Sequence, residues 1–279
     1  MPGDCIPSVM TRARASLDDW IRGQERLCDL ERATFPNFPY DEAHCRALYQ
    51  LRYFPAYFYE NFEMFSRLRG QVDASPRIVS LGCGCLVDAA AAADVFVDGV
   101  AYDGYDINNW EIKAISLDED IHFHHENVFE QDCFPHDANV FVFSRSIGDL
   151  ATRLGYLNEA IVNSELDSEQ IFLCATYNLD GACINRLQTY LSQFAEQFEA
   201  YTRAPGSQLY HPAGQSVENC GFAAGRPWVR HPEVDYLRNL SGACRNPRPN
   251  CPGEQCVINR SPILTIHHLA FEILTLNRR

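Results

Sequence analysis

The stretch Arg77-Ile-Val-Ser-Leu-Gly-Cys-Gly-Cys85 decides how this chain is read. An apolar run enters a turn built on Gly82 and Gly84, and the small-residue segment Asp88 to Asp94 follows at once. Strand, glycine turn and helix in that order form the corner where doubly wound α/β sheets meet phosphates and nucleotides. Glycine suits the turn because it takes positive φ freely, and because a backbone without Cβ lets a ligand come close. A second strand-like run, Val100-Ala-Tyr-Asp-Gly-Tyr-Asp106, ends in an acid. That acid stands about 20 residues past the glycines, the distance at which a carboxylate meets a ribose diol. The two features together predict a nucleoside-type ligand.

The dinucleotide fingerprint requires a small third residue at position 87, where this chain carries Val87. The shorter pattern Leu81-Gly82-Cys83-Gly84, followed by Asp106, instead resembles the first two motifs of class I S-adenosylmethionine-dependent methyltransferases. The resemblance runs from roughly Arg77 to the apolar strand Asn139–Ser144. It implies a Rossmann-like fold with S-adenosylmethionine as cofactor. Gly82, Cys83 and Gly84 would lie under the amino acid portion, and Asp106, with Ile107 beside it, would hold both ribose hydroxyls. Asn127 and Val128, after the third strand, would supply adenine contacts. Two departures stand out: Ser80 occupies a place where the family commonly has an acid, and Cys85-Leu86 replaces the usual third glycine.

A chain of 279 residues with 46% hydrophobic content holds material for one large α/β domain with additions. The formal net charge of −14 disfavours nucleic acid, because gripping phosphates calls for a basic surface. Six arginines between Arg226 and Arg260 leave room for a local basic patch. The first residues lack an apolar signal core, and no window approaches the ~18 apolar residues of a membrane span. These readings predict a soluble, cytoplasmic protein whose 12 cysteines are thiols or metal ligands rather than disulfides.

The organisation predicted is α/β: a doubly wound, mainly parallel seven-stranded sheet behind an N-terminal helical layer, residues 1–74. The Rossmann-like domain spans 75–279 and carries an irregular Arg/Cys-rich insertion over 203–262, before the last strands. In the helical layer, Ser16-Leu-Asp-Asp19 reads as a helix start, Asp41 as a second cap and Pro55 as the first residue of a third helix. Predicted strands are Ile78–Leu81, Ala101–Tyr105, Ile121–His124, Val140–Phe143 and Gln170–Ala175, with Ile263–Ile266 and Ala270–Leu276 as a closing antiparallel pair. Helices are expected over Asp88–Val95, Trp110–Leu117, Thr152–Ser164 and Ala182–Tyr201. The tyrosines of the third helix read first as core and second as a roof over a substrate site.

Methyl transfer asks mainly for alignment, sometimes with a base, and the reacting edge lies beside the switch point between the first and fourth strands. The loop Ser144-Arg-Ser-Ile-Gly-Asp149 falls there. Ser144, Arg145 and Asp149 are therefore the catalytic candidates, Arg145 as anion binder and Asp149 as base. Neither an Asn-Pro-Pro-Tyr sequence nor a Pro-Cys pair occurs there, against amino-directed and cytosine C5 methylation of DNA. His122 and His124 share one strand face and His125 the other, which is poor metal geometry. Cys220, Cys244, Cys251 and Cys256 are possible zinc ligands, though their spacing is wider than tight zinc knuckles. The acceptor is read as a small molecule or protein side chain. Two alternatives stay open: aminopropyl or other alkyl transfer from a sulfonium nucleoside, and a catalytically inactive protein-interaction module.

Overall fold

The computed structural model describes residues 3–24, 40–72, 75–110, 120–178, 181–205, 208–210, 236 and 269–279. The four cysteines named for zinc, the strand at 263–266 and most of the insertion lie outside the described residues. So does the helix expected after Trp110.

Five strands run parallel: β1 Arg77–Leu81, β2 Ala101–Asp106, β3 Ile121–His125, β4 Val140–Ser144 and β5 Gln170–Asn178. The long strand β8, Leu269–Arg278, joins β5 antiparallel, and β6, Tyr201–Arg203, joins the far side of β8. The order is β3-β2-β1-β4-β5-β8-β6, with the short β7, Gln208–Tyr210, also paired to β8. Among the described residues the sheet has eight strands: six of the seven expected, together with β6 and β7, which the sequence reading did not foresee. The order reverses between β1 and β4, so connections leave in opposite directions and open a crevice at the strands' C-terminal ends.

Both faces of the sheet are covered. Helices α1 (Cys5–Arg22), α2 (Ala43–Arg69) and α3 (Val87–Val95) bury Ile78, Tyr102, Val140 and Val142 on one side. On the other side Val79, Leu81, Phe141 and Phe143 pack with residues of α5 (Asn158–Asn163) and α6 (Gly181–Ala195). Alternation along each strand delivers both sets, since successive side chains point to opposite faces.

The helical layer departs from the sequence reading. Helix α1 begins at Cys5, and Ser16 lies inside it, because Ile6, Val9, Met10, Ala13 and Leu17 form one buried stripe. Helix α2 is continuous, with Pro55 in its interior rather than at a start. An interior proline costs about 3 kcal/mol through its missing N–H and its clash with the preceding turn. Burial of Phe54, Ala56, Phe58 and Phe65, each at 0% exposure, offsets that cost. The helix expected over 152–164 divides into a 3-10 stretch, Ala151–Leu157, and α5, with the short α4 (Ile147–Leu150) before them. The one expected to reach Tyr201 stops at Ala195, and Tyr201 starts β6, its hydroxyl donating to the Ser168 carbonyl at 2.8 Å. Among the described residues no helix is long and apolar enough to cross a membrane.

Gly104, inside β2, is needed for packing. A Cβ there would lie 2.7 Å from the Tyr102 ring and 2.9 Å from the Cys83 sulfur. Gly104→Ala should cost at least about 1 kcal/mol of stability in urea unfolding, since Tyr102 is fully buried and tied down by its hydroxyl.

Candidate cofactor and acceptor site

The glycine corner forms as expected, but its two glycines do different jobs. Both take positive φ, +73° at Gly82 and +54° at Gly84. A Cβ on Gly82 would stand 2.7 Å from Cβ of Ser146, so this glycine lets the turn meet the loop after β4. Gly82 and Cys83 N–H both donate to the Tyr105 carbonyl, at 2.9 and 3.1 Å, tying the turn to β2. A Cβ on Gly84 would meet the Trp110 ring at 3.8 Å, ordinary contact, so Trp110 walls the corner on that side.

Asp106, at the end of β2, points into this corner. Its Oδ2 accepts from Gly84 N–H at 2.9 Å, and its Oδ1 accepts from Asn108 N–H at 2.8 Å and Asn108 Nδ2 at 3.0 Å. The carboxylate is half-buried, and these bonds take three of its roughly four lone-pair sites. Moving the Asn108 side chain aside would leave two of those sites open. Ile107, the next residue, is 68% exposed, an apolar surface beside the carboxylate. Asn127 is occupied as a helix cap: its Oδ1 accepts from Phe129 N–H at 3.2 Å and its Nδ2 donates to Glu130 at 2.7 Å. Val128 is buried.

Ser80 meets a buried acid from α3. Ser80 Oγ donates to Asp88 Oδ2 at 2.6 Å, and the Tyr102 hydroxyl donates to the same oxygen at 3.0 Å. Asp88 is fully buried, and burial raises its carboxyl to about 6. The native state therefore binds more protons than the unfolded one between about pH 4 and 6. Stability drawn from the neutral acid is complete below that window and is lost as the pH climbs through it. Asp88→Asn should flatten this slope, as read from melting temperature against pH. Cys83 and Cys85, also buried, have thiols pushed well up by burial, and serve as packing groups rather than nucleophiles.

The loop after β4 is gripped from α2. Ser144 Oγ accepts from Asn61 Nδ2 at 3.0 Å. Arg145 takes φ +67°, a left-handed conformation costly for a residue with Cβ, and its N–H donates to Thr176 Oγ1 at 3.0 Å. Its guanidinium donates to both carboxylate oxygens of Glu60, at 3.0 and 3.1 Å, and lies 4.6 Å from the Tyr57 ring centroid. Burial lifts the Glu60 carboxyl, and Arg145 opposes the lift. The expected anion binder is thus already neutralised. Ser146 Oγ donates to the Leu81 carbonyl, and Asp149 sits exposed in the first turn of α4.

Glu60, Asn61, Tyr40 and Trp110 are absent from the sequence reading of this edge. Glu60-Asn61, polar within a helix buried on most sides, is the signal that was there to find. The histidines keep their expected faces: His124 Nε2 meets Asp103 at 2.9 Å, and His125 Nε2 meets the Ile107 carbonyl at 3.0 Å. Among the described residues Glu42, His44 and Cys45 cluster at metal-ligand distances. Glu42 pairs with His44 at 2.9 Å, His44 stacks on Trp20, and burial pushes the Cys45 thiol up to about 12, so structural contacts account for the group.

No protein-family model matches the chain, and no curated protein matches it in sequence. Among solved structures it is similar to YjhP from E. coli, at 14% identity and TM-score 0.42, over 79% of this chain and 92% of that one. A Thermotoga maritima S-adenosylmethionine-dependent O-methyltransferase aligns at 10% identity and TM-score 0.42, over 78% and 64%. Synechocystis magnesium protoporphyrin IX methyltransferase, with S-adenosylmethionine bound, aligns at 8% identity and TM-score 0.37, over 81% and 80%. Five parallel strands reversing between β1 and β4, followed by an antiparallel β8, give this chain a doubly wound, Rossmann-like fold.

Proposed function

We propose that the chain is an S-adenosylmethionine-dependent methyltransferase. The observation that carries this reading is the Asp106 carboxylate, drawn into the glycine corner by Gly84 N–H at the crevice end of β2. Asp106 would hold the ribose, Ile107 would pack against the adenine, and the turn at Gly82–Gly84 would support the amino acid portion. The cofactor supplies an activated methyl group. The chain's part is to align an acceptor, exclude water and take a proton, for which Asp149 is the exposed carboxylate at the edge. Ser144 and Arg145 act as fixed framework, since their polar atoms face Asn61 and Glu60. The acceptor is a small molecule or protein side chain, in keeping with the net charge of −14.

Isothermal titration with S-adenosylmethionine and with S-adenosylhomocysteine tests the reading. Saturable binding of both at one site is expected. Absence of heat, together with an unmoved melting temperature, would refute it and favour the interaction module.

A further inference from the structure

The glycine corner sets one unused hydrogen-bond acceptor beside one unused donor. Asp106 Oδ1 is filled, since it accepts from both Asn108 N–H and Asn108 Nδ2. Oδ2 accepts from Gly84 N–H at 2.9 Å, and a carboxylate oxygen has room for a second donor. The donor belongs to Trp110. This residue is 4% exposed, yet its indole Nε1 has no hydrogen-bond partner among the described residues. A buried N–H left unmatched is costly, and packing does not account for it.

Both groups border the same small cradle. A Cβ built on Gly84 would lie 3.8 Å from Trp110 Cζ2 and 3.9 Å from Cε2, at ordinary van der Waals distance. Apart from the turn itself, those are the described atoms within 4 Å of that point. Nε1 is bonded to Cε2, so the N–H stands at the Gly84 end of the indole. The Gly84 nitrogen that holds Oδ2 is bonded to the Cα from which that Cβ would grow. Tyr40 and Tyr49 fix the ring, with centroids 5.2 and 5.4 Å from that of Trp110.

An atom placed there has to donate one hydrogen bond to Oδ2 and accept one from Nε1. An ammonium has no acceptor, and a carboxylate or ether oxygen has no donor; a hydroxyl has both. Resting on the methyltransferase reading, we infer that Trp110 is a second ribose-selecting residue, its indole N–H and Asp106 Oδ2 clasping one ribose hydroxyl between them at Gly84. The other hydroxyl reaches Oδ1 by displacing the Asn108 side chain. The two hydroxyls are therefore unequal: one meets two waiting partners, the other a carboxylate oxygen that must first be uncovered.

Calorimetric titration of the full chain with S-adenosylhomocysteine and with its 2′-deoxy and 3′-deoxy derivatives tests this inequality. In the unaltered protein, deleting the doubly held hydroxyl should weaken binding at least about tenfold, and more than deleting the other. Trp110→Phe should shrink the larger penalty about fivefold, the worth of one neutral hydrogen bond, and leave the smaller within about twofold. Replacing Trp110 by 3-benzothienylalanine, which keeps the indole shape with sulfur in place of N–H, should give the same pattern and covers a phenylalanine variant that folds poorly. Penalties unmoved by loss of the N–H would overturn the inference. So would an equal reduction of both, the mark of a ring that only shapes the corner. If S-adenosylhomocysteine does not bind the unaltered protein, the methyltransferase reading fails and takes the inference with it; if it binds and the penalties stay put, the inference alone fails.

Discussion

Glu60→Ala should destabilise the protein by about 3–5 kcal/mol, the usual cost of leaving one member of a buried ion pair uncompensated. Arg145 then keeps its charge beneath the tyrosines, without the two carboxylate contacts at 3.0 and 3.1 Å. At this chain length the loss corresponds to a fall of ~10 °C in melting temperature. Replacing both members by methionine should recover most of the loss, because apolar residues of similar volume fill the site without a desolvation cost. A double variant as unstable as Glu60→Ala would show that shape, not charge, fixes the pair. The loop should also loosen when Glu60 is lost. Arg145 is held at φ +67° by its neighbours, and that conformation persists only while they over-determine it.

Asp106→Ala should weaken S-adenosylmethionine binding by about 1.5–3 kcal/mol, roughly tenfold to 150-fold in Kd. On the proposed reading the lost groups are charged acceptors for two hydroxyls, and the Gly84 N–H that Asp106 now satisfies is left bare as well. Asn108→Ala should move the affinity the other way or leave it unchanged, since its amide occupies Oδ1 in the free protein. An unchanged affinity in Asp106→Ala would sink the ribose assignment. The pair of variants separates a carboxylate that binds ligand from one that only braces the turn.

These two residues show where sequence reading reaches and where it stops. Asp106 was legible because strand, turn and acid are set by local spacing, and a carboxylate ending a strand next to a glycine turn has one crevice to face. Glu60 was not legible, because its partner lies 85 positions away and on another element. Arg145, read alone, is a loop cation free to bind an anion. Only the fold shows that α2 delivers a carboxylate to it.

The helices make the same point from the other side. Pro55 reads as a helix start by local rules, and the intact helix across it exists because the core shared with α1, α3 and the sheet buries the flanking aromatic residues. The tyrosines at 49, 53 and 57 announce a shared face through their spacing. Whether that face meets core or crevice depends on which way α2 is laid across the sheet.

From the sequence alone came the five parallel strands, the glycine corner and the acid beside it, because hydrophobic alternation, positive φ and short spacing act within a few residues. Tertiary structure decided which charges are already neutralised, which acid Ser80 meets, and where the aromatic face points. Those outcomes depend on burial and on partners distant in the chain. Desolvation is a property of the packed molecule that no local stretch of residues carries by itself.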